Sequence, residues 1–179
     1  DALLTLSDSK MYIDDSGNLS VADIRSRCRR QQTRYGLDLV IVDYLGLLQL
    51  GNKRGSLVAD IAEATRALKI LAKELQVPIM LLCQLSRGSE SRKENGYRPI
   101  LADLRDSGAI EQDADMVLLL YRKALAMRNR KDDSEYGGAP AEEIEDNTAE
   151  VIVAKNRNGP LKTVNLAFQG MFSRFVNPS

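Results

Sequence analysis

Apolar positions along the chain switch between two periods, and the switches divide it into elements. Val21, Ile24, Cys28 and Tyr35 fall on one helical stripe. Ser20 with Asp23 three residues on forms a start signal, and Gly36 is a natural stop. LDLVIVDY, Leu37 to Tyr44, is a continuous apolar run and predicts a strand buried on both faces of a parallel sheet. Leu57, Ile61, Ala64, Leu68, Leu71 and Leu75 mark a long amphipathic helix, after which Pro78–Cys83 is a second apolar run. Strand, helix, strand predicts a right-handed crossover and therefore an α/β sheet. Ala114–Arg122 supplies a further strand, and VIVAK, TVNLAF and FSRFV predict closing antiparallel hairpins. Lys10–Asp14 alternates weakly, as a short strand does. Lys123–Thr148 is charged, contains glycine and lacks apolar periodicity, which predicts an exposed, mobile loop. No internal repeat interrupts this order, and residues 1–179 read as a single domain.

Polar residues at the edges of these elements carry the chemistry. In open α/β sheets, ligands bind beyond the carboxyl ends of the strands. Asp43 closes the run Leu39-Val40-Ile41-Val42, and Gln84 follows Leu81-Leu82-Cys83. Four apolar residues and an Asp form a pattern that helps hold Mg²⁺ beside phosphates, although many strands end in Asp. A second strand ending in an amide strengthens the pairing, because Gln orders a water or senses a phosphate without adding charge.

The segment Ser86–Asp115 opens with Arg87, Arg92, Lys93 and Arg98 among Ser, Gly and Asn, a flexible basic loop. Arg105 and a Ser-Gly turn then precede a short helix, where backbone N–H groups beside an Arg suit phosphate oxygens. Tyr97 is its one aromatic residue, so base stacking is not the obvious mode. Taken alone, the segment also reads as an ordinary surface loop. In AEVIVAKNRNGPLKTVNLAF, Ala149 to Phe168, Lys155 and Arg157 are two apart and share one side of an extended backbone. They are either a solvated turn or two cations presented by a stiff tip. Arg25, Arg27, Arg29, Arg30 and Arg34 cover much of the first helix and read first as a solvated face. An acidic neighbour or a phosphate chain is the alternative.

Composition narrows the chemistry. Among 179 residues there are Lys+Arg 25 and Asp+Glu 25, so any electrostatic site is local. There is no histidine, which excludes Ser-His-Asp and Cys-His nucleophile systems, HExxH zinc sites and histidine proton shuttles. The two cysteines, Cys28 and Cys83, have no metal-ligand spacing. Phosphoryl transfer needs little beyond positioning and charge neutralisation, and it fits what remains. No stretch has the length of a membrane span and the opening lacks a signal-peptide layout, so an intracellular protein is expected.

VIVDYLGLL, VPIMLLCQLSR, LADLRDSGAIEQDADMVLLLYR and VAKNRNGP with VNLAFQGMFSRF, in this order and spacing, resemble the C-terminal motor domain of DnaB-type replicative helicases. The likeness runs from Met11 to the end, and its RDSGAIEQDAD and K-x-RNGP segments are specific in combination. It implies a RecA-like P-loop NTPase core, largely parallel with C-terminal antiparallel hairpins. It also implies an ATP-driven ring of six subunits around single-stranded DNA, moving 5′ to 3′ in a bacterial or phage-infected cytoplasm. By this resemblance Asp43 is the Walker B carboxylate that supports Mg²⁺, and Gln84 couples the γ-phosphate to the DNA loops. Arg105, Asp106 and Gly108 match the loop that grips the DNA backbone. Arg157 matches the arginine finger, with Lys155 beside it, acting on the nucleotide of the neighbouring subunit. Primase and a helicase loader are the implied partners, with no membrane association.

The sequence departs from the family pattern at several places. Asp106 stands where Glu is usual, Cys83 where Ser is common, and Gly46 and Asn156 where Gln is common. No G-x-x-x-x-G-K-[ST] occurs in the 179 residues. That phosphate loop, the family's catalytic glutamate and its amino-terminal domain are expected before Asp1, which makes this chain part of a motor, inactive as an ATPase alone. An ATP-independent module that binds single-stranded DNA or docks on a helicase is the contrasting reading, but it has no need for Asp43, Gln84 and Arg157 together. A recombinase-type RecA-like ATPase is less consistent with RDSGAIEQDAD.

Overall fold

The computed structural model describes residues 9–50, 56–86, 97–128 and 147–178, without the side chains of Arg105, Asp106, Ser107, Leu125, Met127 and Arg128. The chain divides into two compact units. One comprises Asp1–Gly51 with Leu71–Cys83, the other Asn52–Ile70 with Gln84–Ser179.

In the first unit, helix α1 (Val21–Tyr35) begins and ends where the sequence predicts. Ser20 Oγ accepts the Asp23 backbone N–H at 3.2 Å, and the Asp23 carboxylate accepts the Ser20 backbone N–H at 3.0 Å. The two bonds satisfy donors that a helix start leaves open. Gly36 adopts a φ of 83°, a conformation that costs glycine little, and its N–H closes on the Gln32 carbonyl at 3.2 Å. Strand β1 (Val40–Val42) pairs in parallel with β2 (Ile79–Leu81), Val40 opposite Ile79 and Val42 opposite Leu81. Ile24, Cys28, Val42, Leu71, Leu75 and Val77 form the core between them. The residues Leu71–Leu75 end helix α2 (Leu57–Leu75).

The arginines of α1 are engaged within the chain. Arg25 pairs with Glu74 at 2.6 Å, Arg29 Nε donates to the same carboxylate at 2.5 Å, and Arg27 binds Asp14. The acidic-neighbour alternative therefore holds for three of the five, and the neighbour is the chain itself.

Three expectations in this unit change. Lys10–Asp14 forms no strand; Met11, Tyr12 and Ile13 are exposed, and Tyr12 stacks on Tyr35 with ring centroids 5.5 Å apart. A weak alternation without a partner edge leaves a strand's backbone groups to water. Tyr35, expected on the buried stripe, is the last residue of α1 and is 60% exposed, outside the core. The apolar run of β1 is buried on one face: Val42 is buried, while Ile41 is 58% exposed.

The second unit is built on an antiparallel sheet in the order β3 (Met116–Tyr121), β4 (Thr148–Asn156), β5 (Lys162–Gln169), β6 (Arg174–Val176). Parallel pairing among the described residues is confined to β1 and β2. On β3, Val117, Leu119 and Tyr121 are buried and Met116, Leu118 and Leu120 are exposed, the alternation of a strand covered on one side. Before β3, a 3₁₀ helix over Leu101–Ser107 runs directly into helix α3 (Gly108–Asp113). Arg105 thus lies within helical backbone, where a turn preceding a helix was expected.

The expected mobile loop over Lys123–Thr148 is corrected at both ends. Lys123–Arg128 form helix α4, and Thr148 opens β4. Residues 129–146, between them, lie outside the described residues.

Candidate functional site

Asp43 is exposed at the carboxyl end of β1. The backbone around it is pinned to the end of β2: Leu82 N–H donates to Val42 O at 3.0 Å, and Leu45 N–H donates to Leu82 O at 2.9 Å. Both bonds belong to the first unit and fix where the carboxylate emerges. Gly46 leaves room for the Tyr44 ring: a Cβ there would lie 2.6 Å from Tyr44 Cε2, so a larger residue needs the ring to move. Mg²⁺ takes one or two protein carboxylates and completes its shell with phosphate oxygens and water. Asp43 fits that sparse donor set, and among the described residues no group of three or more acidic, Cys or His side chains offers a fuller one.

Gln84 is exposed and belongs to the second unit. Two residues on, Ser86 N–H donates to the Asp103 carbonyl at 2.9 Å. Asp103 is 2% exposed, and its carboxylate accepts the Ile100 N–H at 2.8 Å, fixing the start of the 3₁₀ helix. Asp103 therefore joins the two: its backbone carbonyl holds the segment after Gln84, and its buried carboxylate holds the start of the turn that carries Arg105, Asp106 and Gly108. Nothing in the apolar pattern marks Asp103; the signal was its place three residues after Ile100, a local capping distance.

Arg98 does not belong to a free basic loop. Its guanidinium makes two hydrogen bonds to Glu150 Oε2, at 2.8 and 2.6 Å, and one to Thr163 Oγ1 at 3.0 Å. Arg87, Arg92 and Lys93 lie outside the described residues.

Lys155 and Arg157 converge on one feature, the carbonyl end of α3. Lys155 Nζ donates to the Glu111 carbonyl. Arg157 Nη2 donates to the Gln112 carbonyl at 2.5 Å, and its Nη1 stands 3.4 Å from Asp115 Oδ1. Arg157 N–H also donates to Asp115 O at 2.9 Å. The last carbonyls of a helix lack partners within it, and cations are favourable there.

A bulge makes this possible. Lys155 is opposite Val117, but Val153 is opposite Leu118, so β4 carries one extra residue at Ala154. Directly opposed residues share a face. Lys155 therefore joins the buried Val117 side; without the bulge it would share the face of Val153 and Leu118. Alternation alone could not reveal this, because the extra residue inverts the phase. The turn beyond is closed by Asn156, whose Oδ1 accepts the Asn158 N–H at 3.2 Å and whose Nδ2 donates to Pro160 O at 3.4 Å.

Burial raises the pKa of both the Cys28 and Cys83 thiols, which keeps them protonated near neutrality. Neither is poised as a nucleophile.

Comparison with known proteins agrees with the fold and the motifs. Residues 1–177 match the family model of the DnaB-like helicase C-terminal domain. The replicative DNA helicase DnaB of Leifsonia xyli is 48% identical over 172 residues, covering 96% of this chain and 34% of that protein. The replicative DNA helicase DnaC of Bacillus subtilis is 43% identical over 177 residues, covering 98% and 36%. The chain thus spans about a third of the length of these relatives. Among solved structures, an isolated ATPase domain superposes with a TM-score of 0.81 at 38% identity, over 99% of this chain and 58% of that one. A DnaB-like replicative helicase, determined in a study of its interactions with primase, gives a TM-score of 0.81 at 38% identity, over 99% and 40%. With its mixed α/β architecture, its motif order and a family match over almost its whole length, this chain belongs to the DnaB-like helicase C-terminal domain family and has its RecA-like fold.

Proposed function

We propose that this chain is the part of a replicative DNA helicase motor that senses nucleotide and transmits its state to DNA. The observation that carries the reading is the family match over residues 1–177; Asp43, Gln84, Arg105 and Arg157 are assigned from the segments that resemble the family's motifs. The complete protein works as a ring of six around single-stranded DNA and unwinds duplex at the replication fork, moving 5′ to 3′. Its partners are primase and a helicase loader, and its energy source is ATP with Mg²⁺ in a bacterial or phage-infected cytoplasm.

Each residue has a distinct task. Asp43 would hold Mg²⁺ from the end of β1; when bound, the ion neutralises charge on the phosphates. Gln84 stands next to a segment tied through Asp103 to the Arg105 turn, so a change at the γ-phosphate is passed to the DNA contact. Arg105, with the backbone at Asp106 and Gly108, holds the DNA phosphates and reads no bases. Arg157, helped by Lys155, stabilises charge on the transferred phosphoryl group in the neighbouring subunit. The bulged hairpin holds both cations on one side.

ATP hydrolysis and forked-duplex unwinding by the complete protein test this reading directly. Hydrolysis stimulated by single-stranded DNA, with unwinding that requires ATP, is the expected result. The 179-residue chain alone, which contains no G-x-x-x-x-G-K-[ST], turns over ATP negligibly on this account. Robust hydrolysis by the isolated chain, or a complete protein indifferent to DNA, contradicts it.

A further inference from the structure

The carbonyl end of α3 and the Asp115 carboxylate hold more than structure requires. Asp115 lies two residues beyond the helix and meets two cations: Arg157 on one carboxylate oxygen and Lys69 of α2 on the other. α3 is itself tied to α2, because Thr65 Oγ1 donates to Asp113 Oδ2 at 2.8 Å. The helix is six residues long, about 9 Å at the usual rise, and begins at Gly108, immediately after the 3₁₀ turn that carries Arg105. One short rigid rod thus has the candidate DNA segment at one end and both hairpin cations at the other. All these groups belong to the second unit.

We infer that Asp115 is a positioning residue that docks Arg157 on the end of α3 whenever no phosphate competes for it. The inference rests on the finger role proposed above for Arg157. A guanidinium cannot bond Gln112 O and Asp115 in this geometry and also serve a phosphate elsewhere, so engagement with nucleotide undocks it. Undocking removes a cation from the helix end, and the rod carries that change to the Arg105 turn. The exchange is cheap in either direction: Asp115 and Arg157 are about half exposed, and such pairs are weak enough to switch. Lys69, on the other oxygen, shares the carboxylate's charge with Arg157 and so sets how firmly the dock holds.

Two substitutions then have opposite effects in the complete helicase. Asp115→Asn keeps the backbone bond to Arg157 but removes the charge. It should raise ATP hydrolysis without DNA about two- to fivefold, the range expected from an exposed ion pair, and lower the stimulation by single-stranded DNA. Lys69→Met removes the second cation from the Asp115 carboxylate, so it should lower the DNA-free rate and raise the stimulation ratio. Asp115→Glu should keep a stimulation ratio near that of the parent. A merely structural role moves both rates down together with the thermal midpoint. Changes of the same sign in Asp115→Asn and Lys69→Met, or none in either, overturn the dock. If Asp115→Asn does not fold, Lys69→Met decides alone: a raised ratio supports the dock, and an unchanged or lowered one overturns it. A parent protein without DNA-stimulated hydrolysis removes the helicase reading and the dock with it, a result distinct from any of these.

Discussion

The carboxylate of Asp14 is held by Arg27, thirteen residues along the chain, and by the hydroxyl and backbone of Ser16. The Arg27 hydrogen bond is the main cause that lowers its pKa from 3.8 to about 2. A folded-state pKa depressed in this way adds stability at pH values above the unfolded pKa, and the contribution is lost as pH falls through the folded value. The Asp14→Asn protein should therefore be less stable than the parent at neutral pH, with the difference vanishing between about pH 4 and pH 2. The effect should be small and weakened by salt, because the pair is exposed. A carboxyl titration followed by NMR checks the cause: a midpoint near 3.8 would contradict it. Arg105 poses a different residue-scale question. If it contacts a DNA phosphate, Arg105→Ala should weaken single-strand binding by the complete protein and reduce the salt slope of log K by about 1. An unchanged slope rules out the contact.

At the scale of elements, helix α1 was legible because its boundaries are set by local chemistry: a capping Ser, an Asp three residues on and a Gly that can take positive φ. The hairpins were legible by their apolar runs and the Gly-Pro turn. Lys10–Asp14 misled because period-two alternation predicts a strand only if another edge is there to pair with it. The 3₁₀ turn over Leu101–Ser107 was illegible for the opposite reason. Its one local signal is Asp103 three residues after Ile100; its other tie, to Ser86, comes from a segment seventeen residues away that no local pattern encodes. The bulge at Ala154 is likewise a property of two strands together. Leu71 tests the helical element, since it is 1% exposed and sits in the core cluster with Ile24, Cys28 and Val77. Leu71→Ala should cost about 2–5 kcal/mol by urea denaturation, where Leu57→Ala, 64% exposed in the same helix, should cost little. Equal costs at the two positions would contradict the packing.

At the scale of the whole molecule, the motifs exceeded the architecture in legibility. Family and fold class followed from short segments read in their order along the chain. On the proposed reading, Asp43 and Gln84 of one subunit face the nucleotide that Arg157 of a neighbouring subunit completes. No described helix is long and apolar enough to cross a membrane. The central claim is that Arg157 completes a site whose carboxylate, Asp43, comes from another subunit. The most direct test prepares the complete helicase with Asp43→Asn and, separately, with Arg157→Ala, each expected to lose DNA-stimulated hydrolysis. The two are then mixed and allowed to exchange subunits. Some interfaces in the mixed rings pair an intact Asp43 with an intact Arg157, so hydrolysis should return in part. If mixed rings form and stay as inactive as the two parents, Arg157 does not act across the interface, and the account fails.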